Sequence, residues 1–241
     1  FKETYAGALD TIVVEGQYLK PDTQSDTVLI FMHPTGTMNL LPMPNALAAA
    51  GVHCLCCGSR YPHNDSGLIM EKVILDLGQY IKYAKEKLGF KKVILAGWSG
   101  GGSLSMFYQS QAENPTITHT PAGDPVDVAG AGLIPADAVL QLAAHVSRAI
   151  ILTEWLDASI VDEVDLSKRE VELDLYDPVN PNQPPYSAAY LERYRAAQVA
   201  RSKRIDDFVF AKLDQFKQAG TPNEEFCFVV HGTMADPRWL D

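Results

Sequence analysis

The chain has 241 residues, of which 46% are hydrophobic and 21% charged, and its formal net charge is −10. That length holds one large domain or two small ones, and that balance excludes disorder, collagen-like repeats and a coiled coil. An acidic chain lacks the basic face that a phosphate backbone requires, so no nucleic-acid partner is expected. No apolar run reaches the ~18 residues of a membrane span; Ala136–Val146 is interrupted by Asp137, Gln141 and His145. The four cysteines are Cys54, Cys56, Cys57 and Cys227. Three of them crowd one short apolar segment, where neighbours point to opposite faces, so free buried thiols in a reducing, cytoplasmic setting are expected rather than disulfides. Their spacing is too tight for zinc, and no metal or other cofactor is expected. The sequence opens on Phe1 without a methionine or a signal-like stretch, so the natural start is expected to lie outside it.

In chain order, Thr11–Val14 and Tyr18 read as early strand. Asp26–Met32 turns from polar to almost continuously apolar, the mark of a strand buried on both faces, and runs into the loop His33-Pro34-Thr35-Gly36. Leu40–Ala50 reads as a short helix stopped by Gly51, and Val52–Cys57 as a second buried strand. Leu68–Leu88 has helical periodicity, with Ile69, Val73, Leu77, Ile81 and Ala84 on one stripe. Lys91–Ala96 is a third buried strand, followed by glycine-rich residues and a helix from about Ser103 to Ala112. This alternation predicts a parallel sheet wrapped by helices.

Thr116–Gly132 is rich in Pro, Gly and Asp and reads as a long loop before a strand over Ala138–Ala144. Asp177–Pro185 carries too much proline for regular structure. Ser187 then caps a long helix with Ile205, Phe208, Val209, Leu213 and Phe216 on one face, ended by Gly220. Glu225–Val230 reads as strand again. The expected organisation is a core over residues 1–149, an inserted helical cap over 150–222, and a return to the core or a cap hairpin over 223–241.

Chemistry concentrates at Gly97-Trp98-Ser99-Gly100-Gly101, between a buried strand and a helix. A serine at such a turn takes a strained conformation and projects over the carboxyl end of the sheet, where open α/β folds bind ligands. Gly97 and Gly101 let strand and helix approach, and the helix N-terminus adds partial positive charge for a developing oxyanion. A phosphate-binding Walker loop is excluded, because no lysine follows the last glycine.

With this elbow and with His33-Pro34-Thr35-Gly36, the chain resembles the α/β-hydrolase family over at least residues 11–145. The resemblance implies that the N–H after the nucleophile, that of Gly100, forms half of an oxyanion hole, and that Thr35 supplies the other half. The family's usual His-Gly is His-Pro here; Pro34 has no N–H and cannot be the donor. His33 is read as structural. The family order is Ser, acid, His, yet the residues left after Ser99, less the cap, are too few for the remaining strands and the histidine. His119, His145 and His231 do not fit a late turn after an acid. Asp236, after His231-Gly232-Thr233, is the one candidate acid; otherwise acid and base are expected beyond residue 241, in a C-terminal segment or second chain that completes the core. Trp98 and His63 are candidate substrate contacts.

The resemblance thus implies an α/β fold, a mostly parallel sheet flanked by helices with an inserted helical cap, whose C-terminal core is missing from this chain. It implies a serine hydrolase that cleaves a bulky, apolar carboxylic ester or lactone through an acyl-enzyme on Ser99. Carbon–carbon bond hydrolysis, acyl transfer and a non-catalytic binding protein are the alternatives. A small-molecule ester is the expected partner, a homo-oligomer is possible, and neither a membrane span nor a metal is expected.

Overall fold

The computed structural model describes residues 12–64 and 67–240. They fall into two compact units, divided between Ser147 and Arg148.

The first unit is built on a five-stranded sheet. Its strands are β1 (Gly16–Leu19), β2 (Thr27–Met32), β3 (Cys54–Cys57), β4 (Lys92–Trp98) and β5 (Ala138–Leu142), in the order β1-β3-β2-β4-β5. β1 pairs antiparallel with β3, and every other pair is parallel. The apolar run read in β2 fits its central place, with neighbours on both edges and Ile30, Phe31 and Met32 buried. Helices α1 (Pro42–Ala49), α2 (Met70–Glu86) and α3 (Gly100–Glu113) connect the strands. One face of the sheet packs Val28, Ile30, Leu55 and Leu95 with Val73, Leu77 and Ile81 of α2 and Leu104 and Tyr108 of α3. The other face gathers Phe31, Cys54, Cys56 and Ala96, with Leu47 of α1 against them. The stripe expected on α2 is the buried one, from Val73 to Ala84.

Local boundaries differ from expectation where single residues dominate. Residue 11 lies outside the described residues, and the first strand begins at Gly16 rather than before Val14. A single 3-10 turn, Met38–Leu40, precedes α1, whose first residue is Pro42; proline is tolerated there because its missing N–H would have no partner. Helix α3 starts at Gly100 and not near Ser103, because the strained residue at 99 turns the chain directly into the helix. Between Glu113 and Ala138 the chain carries no helix or strand, as its composition implies.

Glycine is required where α3 meets the sheet. A Cβ on Gly101 would lie 2.3 Å from the Met32 carbonyl oxygen, and one on Gly97 would lie 2.5 Å from the Gly101 carbonyl oxygen. Both obstacles are backbone and cannot rotate away. Gly101→Ala is therefore expected to cost about 3 kcal/mol, read as a lowered midpoint in thermal unfolding. A variant as stable as the parent would show that helix and strand can separate at this point.

The second unit contains α4 (Arg148–Trp155), a 3-10 turn at Val171–Leu173, α5 (Ala188–Gln218) and a 3-10 turn at Pro237–Trp239. Ser187 caps α5 as expected, its hydroxyl accepting from the Tyr190 N–H, and Gly220 follows the end at φ +74°. The buried face is not the expected one. It is Tyr190, Tyr194, Gln198 and Arg201. Ile205, Phe208, Leu213 and Phe216 are only half-buried, and Val209 is exposed. Tyr186, Tyr190 and Tyr194 stack in series, and Leu173, Leu175 and Ala235 pack around them.

Glu225–Val230 forms no strand. It lies along α5 through side chains, Phe226 against Phe208 and Phe216 and Phe228 against Phe208. A strand needs a ladder of backbone partners, and this segment meets a helix instead. Residues 223–240 thus belong to the same unit as α5, and neither a return to the sheet nor a hairpin is seen there. No helix among the described residues is long and apolar enough to cross a membrane.

Cys54, Cys56 and Cys57 are free and buried, whereas Cys227 is free and exposed. Burial pushes the Cys54 thiol up to about 11; burial and the neighbouring Cys54 push Cys56 up to about 11, and Cys57 is raised as well. A thiol near 11 is ionised to about one part in a thousand at pH 8. Iodoacetamide at pH 8 should therefore modify Cys227 first in the folded protein and reach the other three only after denaturation. Rapid modification of more than one thiol, counted by mass, would contradict this.

Candidate active site

Ser99 sits between β4 and α3 with φ +53° and ψ −122°. That conformation is costly for any residue with a Cβ, and the surroundings hold it. The Ser99 N–H donates to the Leu142 carbonyl at the end of β5, and the Ser99 carbonyl accepts from the His145 N–H at 2.9 Å and the Gly102 N–H at 3.0 Å. Ala143, between them, also has positive φ. The side chain of Ser99 is half-exposed at the carboxyl end of the parallel strands. Gly100 opens the first turn of α3, where a backbone N–H has no acceptor within the helix.

The loop after β2 faces this turn. A Cβ on Gly100 would lie 2.8 Å from His33 Nε2, so glycine lets the imidazole approach the start of α3 this closely. His33 Nδ1 accepts two hydrogen bonds, from the Thr35 N–H at 3.2 Å and the Gly36 N–H at 2.9 Å. A neutral ring that accepts at Nδ1 carries its proton on Nε2. The Thr35 N–H is thus turned onto His33 in this structure. The cause is local: a side chain that accepts from the N–H groups two and three residues on closes a tight turn, as Asx residues do. The signal was legible as a histidine two residues before Thr35.

Two further groups brace the loop. The His63 N–H donates to the Thr35 carbonyl at 2.9 Å, and its Nε2 lies 3.2 Å from Thr37 Oγ1. The Ser59 hydroxyl donates to the Pro34 carbonyl at 2.5 Å. Arg60 beside it forms an ion pair with the buried Asp76 of α2 at 2.6 Å. His63 therefore braces the loop after β2. Trp98, the last residue of β4, is partly exposed, with its ring 6.2 Å from that of His33.

Asp236 is fully buried, in the second unit. It caps the Pro237–Trp239 turn, its Oδ1 accepting from the Arg238 N–H at 3.0 Å. Both oxygens accept from the Arg238 guanidinium, and Arg195 approaches Oδ1 at 3.3 Å. Burial pushes its carboxyl up, but the Arg238 donors and the two positive charges outweigh that, and it ionises below the usual carboxylate range. A triad acid holds an imidazole; these bonds are with arginines. His231 offers its carbonyl to Arg201, and His119 lies in the loop before β5 with Nδ1 3.0 Å from Thr118 Oγ1. The histidine brought beside Ser99 that the sequence pattern did not select is His145, through its backbone N–H.

Taken together, a mostly parallel α/β sheet ends at a strained serine turn, next to a braced loop rich in N–H donors. No family model and no curated protein matches the chain. Among solved structures it is similar to an alpha/beta hydrolase superfamily protein from Enterococcus faecalis, with 16% identity and a TM-score of 0.37, over 79% of this chain and 66% of that one. It is also similar to a marine microorganism esterase, with 15% identity and a TM-score of 0.34, over 79% of this chain and 64% of that one. The chain therefore spans slightly less than two thirds of the length of these two structures.

Proposed function

We propose that this chain carries the nucleophile of a serine hydrolase that cleaves a carboxylic ester or lactone. The observation that carries the reading is the conformation of Ser99, φ +53° at a strand-to-helix turn, with Gly100 opening the helix beyond it. Ser99 Oγ attacks the acyl carbon and an imidazole takes its proton. The alkoxide leaving group departs with a proton, and water then cleaves the acyl-enzyme. The oxyanion rests on the Gly100 N–H and on the Thr35 N–H, whose 3.2 Å bond to His33 Nδ1 is exchanged for a stronger bond to the anion.

The acid and base belong, in this reading, to a C-terminal segment or second chain. Asp236 being held by two arginines supports that. The cap role of residues 150–222 is part of the same proposal. One observation favours the non-catalytic alternative: the second oxyanion donor is already engaged by His33. A fluorophosphonate probe decides between them. Labelling of the parent and not of Ser99→Ala supports the hydrolase; absence of labelling in the active-site-intact protein supports the binding protein.

A further inference from the structure

A cavity of about 640 Å³ opens at the carboxyl end of β3, within the size range of small-ligand sites. Gln17 of β1, Thr35 and Thr37 of the oxyanion loop, Asn39, Cys56 of β3 and Pro62 are among its walls. The loop that closes on Gly100 through His33 is therefore also a wall of this cavity. In the sheet β2 lies between β3 and β4, so the cavity stands two strand spacings, about 10 Å, from the end of β4 that carries Ser99.

We infer that this cavity receives the far end of the acyl chain of a Ser99 ester, and that the preferred substrate carries a neutral acyl group of medium length. The inference rests on the hydrolase reading above. The acyl part stays on Ser99 through both halves of the reaction while the alcohol leaves after the first, so a walled cavity serves the acyl part. The charged liners are Glu15 and Arg60, and Arg60 is held by Asp76. Glu15 then opposes an anionic chain. Asn39 adds a neutral polar wall.

The test compares p-nitrophenyl acetate with p-nitrophenyl octanoate, which share a leaving group. An acetyl group cannot reach 10 Å and an octanoyl group can. Gln17→Trp and Pro62→Trp fill the cavity from two walls. Each should lower kcat/KM for octanoate by about tenfold or more and leave acetate turnover and fluorophosphonate labelling of Ser99 unchanged. If the filled variants lose both esters equally, or neither, while Ser99 is still labelled, the acyl assignment is overturned and the hydrolase reading survives. If the parent hydrolyses neither ester and Ser99 is not labelled, both fall.

Discussion

Replacing Ser99 by glycine should produce a protein more stable than the parent and, on the proposed hydrolase reading, with its ester turnover largely lost. At φ +53° and ψ −122° the Cβ of residue 99 clashes with its own backbone, whereas glycine reaches this region freely. Strain of this kind is worth about 1–3 kcal/mol. The gain should exceed the entropic cost of a more flexible unfolded chain, which is below about 1 kcal/mol. Ser99→Ala keeps the Cβ and the strain, so it should unfold near the parent. Both variants lose the hydroxyl of the proposed nucleophile, and on that proposal ester turnover should fall by about four to six orders of magnitude. Thermal unfolding of the three proteins, with fluorophosphonate labelling in parallel, checks both halves. A glycine variant no more stable than the alanine variant would mean that the turn is not strained.

In the second unit, Arg201→Met should be among the most damaging single substitutions. Arg201 is fully buried on α5. Its guanidinium donates to Glu163 through Nε and Nη2, each at 2.8 Å, to the Asp157 and Gly232 carbonyls through Nη1, and to the His231 carbonyl at 2.6 Å. Methionine would leave a largely buried carboxylate and three carbonyls without this partner. Breaking one side of a buried pair costs about 3–5 kcal/mol. Adding Glu163→Gln should recover part of the loss, because the stranded charge is then gone. The Trp155 and Trp239 rings lie 6.0 Å apart in this unit and make denaturant unfolding visible by fluorescence. An Arg201→Met midpoint within experimental error of the parent would show that water replaces the network at little cost.

These two sites differ in how far the sequence reveals them. The strained serine was legible because its requirements are local: a buried strand before it, a helix after it, and glycines where the backbones touch. The same holds for β2 to α3, whose elements follow from short-range apolar periodicity, and for Ser187 and Gly220, which bound α5 by their own backbone chemistry. Arg201 is one of several basic residues on α5, and nothing in its sequence neighbourhood marks it for burial. Its burial depends on the segments near 157 and 231, which run beside α5 and present carbonyls that need donors. Hydropathy pointed to the wrong face of α5, because the more apolar stripe is shared with Phe226 and Phe228 and remains half-exposed.

Asp236 shows the same division. Strand, His-Gly and Asp in succession suggested an acid at a sheet end, yet its partners come from Arg195, 41 residues away, and from Arg238, two residues on. By itself the sequence determined the parallel α/β core, the serine turn and the buried cysteines, since periodicity and steric demand act over a few residues. Only the tertiary structure decided which face of α5 is buried, that 225–230 pairs with no strand, and that Asp236 is neutralised by arginines. It likewise decided that the Thr35 N–H turns onto His33. Each of these depends on which backbone carbonyl, N–H or charge a distant segment brings within hydrogen-bonding distance.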